Sequence, residues 1–252
     1  MSSVATLGKT DRWLKTFFDA LAAAPTTKSK THHMAAADHP KYSIIYPTAD
    51  EIRRSLNGYV SGGSIHMKLR TPAQQSQLQY LRPYLCEWAG DGPADSRKRK
   101  RGGGTENEPG DSKHTAGRRR AAPHIKTYFR FSDSERMDDI QWAMVTSANL
   151  STQAWGHGIN AQGEVFISSW EIGVVLWPGL FSDGSKVPEA ASTAKMVPCF
   201  GKDRPDPVPM ADTNRKEEQP SVVVGFRMPY DLPLTPYGAH DVPWSADEFA
   251  DD

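Results

Sequence analysis

A chain of 252 residues can build one sizeable domain, and a hydrophobic share of 38% with 20 Gly and 19 Pro leaves room for loose segments beside it. Lys and Arg number 30 and Asp and Glu number 30, so no overall field marks a polyanion binder. The two cysteines, Cys86 and Cys199, lie outside any Cys-x-x-Cys spacing. That argues against a disulfide framework or a structural zinc site and for a reducing compartment. The 8 histidines lack H-x-x-x-H spacing, so neither a metal nor another cofactor is implied. No apolar run reaches bilayer length and no signal-peptide pattern opens the chain, so a soluble intracellular protein without a membrane partner is expected.

In chain order, Asp11 precedes Trp13, Leu14, Phe17, Phe18 and Leu21, an apolar stripe at helical spacing that Pro25 ends. The stretch through His39-Pro40 reads as a loop. Ser43 to Tyr46 predicts a short strand, and Thr48-Ala49-Asp50-Glu51 a capping box opening a helix that Gly58 stops. Thr71-Pro72-Ala73-Gln74 opens another helix, carrying Leu78, Leu81, Leu85 and Trp88 with a kink at Pro83. Residues 90–122 are Gly, Pro and basic or polar almost throughout, and predict a disordered insert. Strands are expected at Ile125–Phe131, Ile140–Thr146 and Glu171–Trp177, with a helix opening near Asn149. Residues 182–220, with scattered prolines, read as an irregular insert, and 221–252 as the end of the domain with an acidic tail. The organisation expected is one α/β domain over 1–89, 123–181 and 221–252, broken by the two inserts.

The most informative segment is Pro123-His124-Ile125-Lys126-Thr127-Tyr128-Phe129-Arg130, followed by Val145-Thr146-Ser147-Ala148-Asn149-Leu150-Ser151. Strand alternation puts His124, Lys126, Tyr128 and Arg130 on one face, and Ile125, Thr127, Phe129 and Phe131 on the other, against a core. An imidazole beside an ammonium, with an amide arriving from a second apolar run, suits an anionic oxygen cluster, phosphate first. A His-x-Lys pair alone is usually a solvated strand face; its surroundings raise it above that.

Those surroundings resemble the second half-motif of the tyrosyl-DNA phosphodiesterase family in the phospholipase D superfamily. The likeness rests on His-Ile-Lys-Thr-Tyr, Thr-Ser-Ala-Asn-Leu-Ser and Ala154-Trp155-Gly156. Asn149 stands where the wider superfamily carries Asp. Ser2-Ser3-Val4-Ala5-Thr6-Leu7-Gly8, Ile45-Tyr46-Pro47, Gly62-Gly63-Ser64, Glu171-Ile172-Gly173-Val174 and Met228-Pro229-Tyr230-Asp231-Leu232-Pro233 extend it over nearly the whole chain.

The resemblance implies an α-β-α sandwich forming one half of a two-half enzyme that clears topoisomerase-derived peptide from blocked 3′ DNA ends. It makes His124 the general acid and then base, and Lys126 a clamp on the phosphoryl oxygens. Asn149 is an amide donor to the same oxygens or a support for the lysine. Glu171 is either a carboxylate orienting an imidazole or an ordinary strand-end acid. Ser3, Val4, Ala5, Thr6, Ser64 and Ser151 match stretches that contact a DNA strand, although Ser3, Thr6 and Ser64 also read as turn or cap residues. Trp142 and Trp155 read as core before stacking platforms. The basic blocks Arg97–Arg101 and Arg118–Arg120 fit a nuclear import signal, a DNA tether or a solvated loop; the family implies the nucleus.

The family's nucleophilic histidine has no counterpart here. His66-Met67-Lys68 has the letters but not the flanking strand and amide, and is read as coincidence. The expectations are a fragment of a longer enzyme, which truncation at both ends favours, a homodimer pairing two copies of His124, or an inactive remnant that binds single-stranded ends. Loss of a partner half would also leave an apolar interface exposed.

Overall fold

The computed structural model describes residues 1–22, 41–89, 114–182, 194–205 and 222–247. Nine strands and four α-helices lie in these segments: β1 Ser3–Val4, α1 Arg12–Ala22, β2 Ile44–Ile45, α2 Ala49–Arg53, β3 His66–Met67, α3 Pro72–Leu81, β4 Leu85–Cys86, β5 Thr127–Phe131, β6 Ile140–Thr146, α4 Thr152–Trp155, β7 Gly173–Leu176, β8 Ala194–Cys199 and β9 Val222–Arg227. Content is mixed α/β, as expected. The described strands form four small sheets, β1-β3, β2-β4, β5-β6-β7 and β8-β9, rather than one continuous sheet. Among the described residues no helix is long and apolar enough to cross a membrane.

The antiparallel β5-β6-β7 sheet positions the rest, because apolar clusters cover both faces of its β5 and β6 strands. Tyr128, Trp142 and Met144 face a cluster built from Leu14, Phe17 and Phe18 of α1 and from Val4, Met67 and Leu150. Phe129, Ile140 and Ala143 turn the other way, onto Met196, Met228 and Tyr230. Alternation along β5 therefore divides the two clusters, and neither face is left to solvent at Tyr128 and Phe129.

Both capping boxes form. Thr48 and Thr71 each accept from the backbone N–H three residues on, and Glu51 and Gln74 accept from the cap residues' N–H groups. Glu51 does more than cap. Its buried carboxylate also accepts from the N–H of Trp88 at 3.1 Å and of Ala89 at 2.7 Å, tying α2 to the chain beyond β4.

Several expectations need correction. Pro83 ends α3 rather than kinking it, since proline brings no N–H to the helical ladder. A 3₁₀ turn over Arg82–Tyr84 leads into β4, so Leu85 and Trp88 are off the helix. The insert predicted over 90–122 is ordered from His114 onward: His114 and Leu232 exchange backbone hydrogen bonds, and Arg119 lies 3.6 Å from buried Asp231. Polar composition gave no hint of that buried acid as a tether. Within 182–220, β8 pairs in parallel with β9 in register Ala194↔Val222, and Met196 is fully buried. The loop through Pro40, the basic block at Arg97–Arg101, most of the acidic tail and the rest of both inserts lie outside the described residues.

Glycine at position 62 is a steric requirement: a Cβ there would sit 2.3 Å from the indole of buried Trp244, whose Nε1 donates to the Gly62 carbonyl at 3.0 Å. Replacing Glu51 by Ala would strand three buried N–H groups, those of Thr48, Trp88 and Ala89. A loss of about 3 kcal/mol is expected, read as a lower urea midpoint; a loss below about 1 kcal/mol would show that the tie is not structural.

Candidate active site

The site grows from the turn that joins β6 to α4. Thr146, Ser147, Ala148 and Asn149 leave the sheet there, and their backbone groups need partners. Thr146 N–H donates to the Lys126 carbonyl at 3.1 Å, and Ala148 N–H to the Thr146 hydroxyl at 3.1 Å. The buried Tyr128 hydroxyl donates to the Ala148 carbonyl at 3.3 Å, while the Trp155 indole N–H is shared between Tyr128 at 3.1 Å and the Asn149 carbonyl at 3.0 Å. Burial raises the Tyr128 pKa well above the ordinary phenol value, so it serves as a neutral strut.

At the open edge of this turn, Lys126 Nζ lies 3.3 Å from His124 Nε2. His124 is exposed and Lys126 half-buried. β5 itself begins only at Thr127, so Ile125 and Lys126 lie just outside the strand predicted over Ile125–Phe131. The ammonium can donate to a neutral imidazole, and both can meet one anionic oxygen group. Burial pulls the Lys126 pKa below the ordinary lysine value, and the Glu171 carboxylate pushes it back up.

Glu171 lies two residues before β7, not inside a strand. Its Oε2 accepts from the Ser147 hydroxyl at 2.5 Å; no imidazole is bonded to it among the described residues. Ser147, which sequence reasoning passed over, also accepts from the Ile172 N–H at 3.0 Å and so holds Glu171 against the turn. Its one signal was a hydroxyl two residues before Asn149.

Asn149 is committed on one side. Its side-chain carbonyl accepts from the Ser3 N–H at 2.9 Å and the Ser2 hydroxyl at 3.1 Å, which leaves its NH₂ as the group offered outward. Ser2 is buried and is a second residue the sequence left unassigned. β1 also bridges Leu150 through Val4, in parallel, and pairs with β3 in register Ser3↔His66 and Val4↔Met67. The structure thus joins His124, Lys126, Asn149, Glu171 and Ser3 in one continuous region.

The other predicted contacts are placed differently. Val4 is core, with its side chain turned away from this edge, and Ala5 is half-buried, its carbonyl accepting from Gln77 at 2.8 Å. Thr6 is exposed but lends its carbonyl to Thr152. Ser151 is buried, and its hydroxyl caps the single turn of α4 by accepting from Ala154 N–H at 3.2 Å. Ser64 is exposed in the turn before β3. Trp142 and Trp155 pack against the core. A cavity of about 480 Å³ between α1 and the β5-β6 sheet, lined by Phe17, Phe18, Tyr42 and Trp142 among others, includes none of His124, Lys126 and Asn149.

The electrostatics carry a sign. A lysine whose pKa is lowered sheds its proton at a lower pH than a free lysine, so anion binding that needs its charge fails first on the alkaline side. Glu171→Gln removes the carboxylate that raises Lys126, and should move that alkaline limb to lower pH in titrations with a 3′-phosphorylated oligonucleotide. A limb that stays in place would show that Glu171 does not act on Lys126.

A family model described as tyrosyl-DNA phosphodiesterase matches residues 1–238. A probable tyrosyl-DNA phosphodiesterase of Schizosaccharomyces pombe is 32% identical over 212 residues, covering 81% of this chain and 33% of the relative. Tyrosyl-DNA phosphodiesterase 1 of Arabidopsis thaliana is 30% identical over 251 residues, covering 96% of this chain and 35% of the relative. A crystal structure of a mutant yeast tyrosyl-DNA phosphodiesterase aligns with a TM-score of 0.52 at 17% identity, over 98% of this chain and 48% of that one, a likeness of fold alone. The chain thus spans about a third of the length of these curated relatives. A match running from Met1 through Gly238 places the chain in the tyrosyl-DNA phosphodiesterase family.

Proposed function

We propose that this chain is one half of a phosphodiesterase that frees 3′ DNA ends from tyrosine-linked topoisomerase peptide, its α-β-α layers completed by a second half. The observation that carries the reading is the 3.3 Å contact of Lys126 with the exposed His124 imidazole, beside an Asn149 amide whose carbonyl is already engaged. Such a set holds a proton, a positive charge and a neutral donor at one edge, as phosphoryl transfer without a metal requires.

In the first step an imidazole nitrogen of the other half attacks phosphorus. The bond from phosphorus to the tyrosyl oxygen breaks, and His124 gives its proton to that oxygen. In the second step neutral His124 takes a proton from water as the water oxygen bonds to phosphorus. The phosphorus–nitrogen bond then breaks, leaving a 3′-phosphate on DNA. Lys126 and the Asn149 NH₂ stabilise the oxygens that gain charge in both steps. No cofactor enters this balance. Nuclear DNA, single-stranded or blocked at its 3′ end, is the partner proposed.

The seat of the other half is the apolar surface beside Glu171. Trp170, Ile172, Val174, Val175 and Trp177 are all exposed there, a run of large apolar side chains that single soluble chains rarely leave uncovered. Alone, the chain should therefore be poorly soluble. Sedimentation as a monomer at micromolar concentration would remove self-pairing of two His124 copies as the way the site is completed.

The reaction is tested on a 3′-phosphotyrosyl oligonucleotide, with this chain completed by the portion of the Schizosaccharomyces pombe relative that it lacks. His124→Ala and Lys126→Ala should each lower turnover at least ~100-fold. His124→Asn should accumulate a covalent phosphohistidine adduct, because resolving water loses its base. Unchanged turnover in both alanine variants would overturn the proposal. Salt-sensitive binding without cleavage by the completed protein would point to a DNA-end binder instead.

A further inference from the structure

Residues 64–70 alternate without a break. Ile65, Met67 and Leu69 are buried, while Ser64, His66, Lys68 and Arg70 are exposed. β3 carries the middle of this run and lies beside β1, which bridges the chain at Leu150, all three in parallel. Register partners in parallel strands point to the same side of the sheet. Val4, Met67 and Leu150 sit in one apolar cluster and define the inner side. Their neighbours Ser3, His66, Lys68 and Asn149 therefore share the outer side. His66-Met67-Lys68, which looks accidental in sequence, has been brought by the fold onto the same face as the Asn149 amide.

Lane spacing fixes the scale. Adjacent strands lie about 4.8 Å apart, so β3 stands roughly 10 Å from the Asn149 lane, with Ser3 between them. Alternate residues along β3 are about 6.6 Å apart, a stride comparable to successive phosphates of an extended strand. Among the described residues neither the His66 imidazole nor the Lys68 ammonium has a hydrogen-bond or ion-pair partner, whereas the Arg70 side chain is taken up by the Asp247 carbonyl. An imidazole and an ammonium in line, uncompensated and two lanes from a committed amide, suit a polyanion passing over β1.

We propose that His66 and Lys68 form a phosphate-binding lane for the DNA strand on the nucleotide side of the scissile bond, holding the backbone one or more phosphates away from His124. The exposed Ser64 hydroxyl, pinned by the Gly62–Trp244 contact, begins the same lane. These are positioning contacts. They touch substrate at phosphates that do not react, and they rest on the phosphodiesterase reading above for the direction of the strand.

The test separates the two claims. With 5′-labelled single-stranded oligonucleotides carrying a 3′-phosphate, Lys68→Gln should weaken binding about tenfold at low salt. It should also reduce the slope of log affinity against log salt by about 0.7, the value for one phosphate contact on a single strand. His66→Gln should weaken binding less. Lys68→Arg should restore the slope. In the completed enzyme the same variants should raise KM for long oligonucleotide substrates and leave kcat and a mononucleotide phosphotyrosyl diester unaffected.

An unchanged salt slope and affinity in Lys68→Gln would overturn the lane. So would a KM effect that follows the length of the peptide rather than the length of the DNA. If Lys68→Gln lowers the slope in a protein that cleaves nothing, the lane stands and the phosphodiesterase reading falls.

Discussion

The satisfaction of one half-buried turn governs this site. Residues 146–149 must leave β6 and enter α4 with their backbone polar groups paired, and Ala148 among them is buried. The Tyr128 hydroxyl, the Trp155 indole, the Thr146 hydroxyl and the Lys126 carbonyl satisfy them. Once those groups are paired, the backbone at Lys126 and Asn149 has little freedom left. Unpaired buried amides and carbonyls cost about 1–3 kcal/mol each, so any rearrangement that moved Asn149 would break several bonds together. The chemistry is positioned by the requirement that the main chain be satisfied.

The same logic extends outward in parallel lanes. The Asn149 carbonyl is drawn to β1 because Ser3 N–H and the Ser2 hydroxyl need an acceptor there. β1 in turn is pinned through Val4 to Leu150 and Met67, whose burial sets which side of each strand faces out. One apolar layer thereby determines the face on which Ser3, His66 and Lys68 stand. Beside it, the region around β7 keeps large apolar side chains exposed on both strand faces, an energetic liability unless another surface covers them.

Part of this was legible beforehand. The amphipathic stripe of α1, both capping boxes and the Ile140–Thr146 strand follow from local chemistry acting within a few residues. His124, Lys126 and Asn149 were readable because their spacing survives as a string. Ser147 and Ser2 were not, since a serine shows its value only when the atoms it bonds are known. Glu171 was noticed with its role open between orienting an imidazole and a plain strand-end acid, and the Ser147 hydroxyl it bonds was not readable.

From sequence alone came the local elements, the family likeness and the kind of chemistry, because these depend on side-chain type and short-range periodicity. Tertiary structure decided what long-range pairing controls. It ordered residues 114–122 against Asp231, gave residues 194–199 a parallel strand partner, and buried Val4 and Ser151. It also put His66 in register with Ser3, a juxtaposition across more than sixty residues that no local pattern encodes.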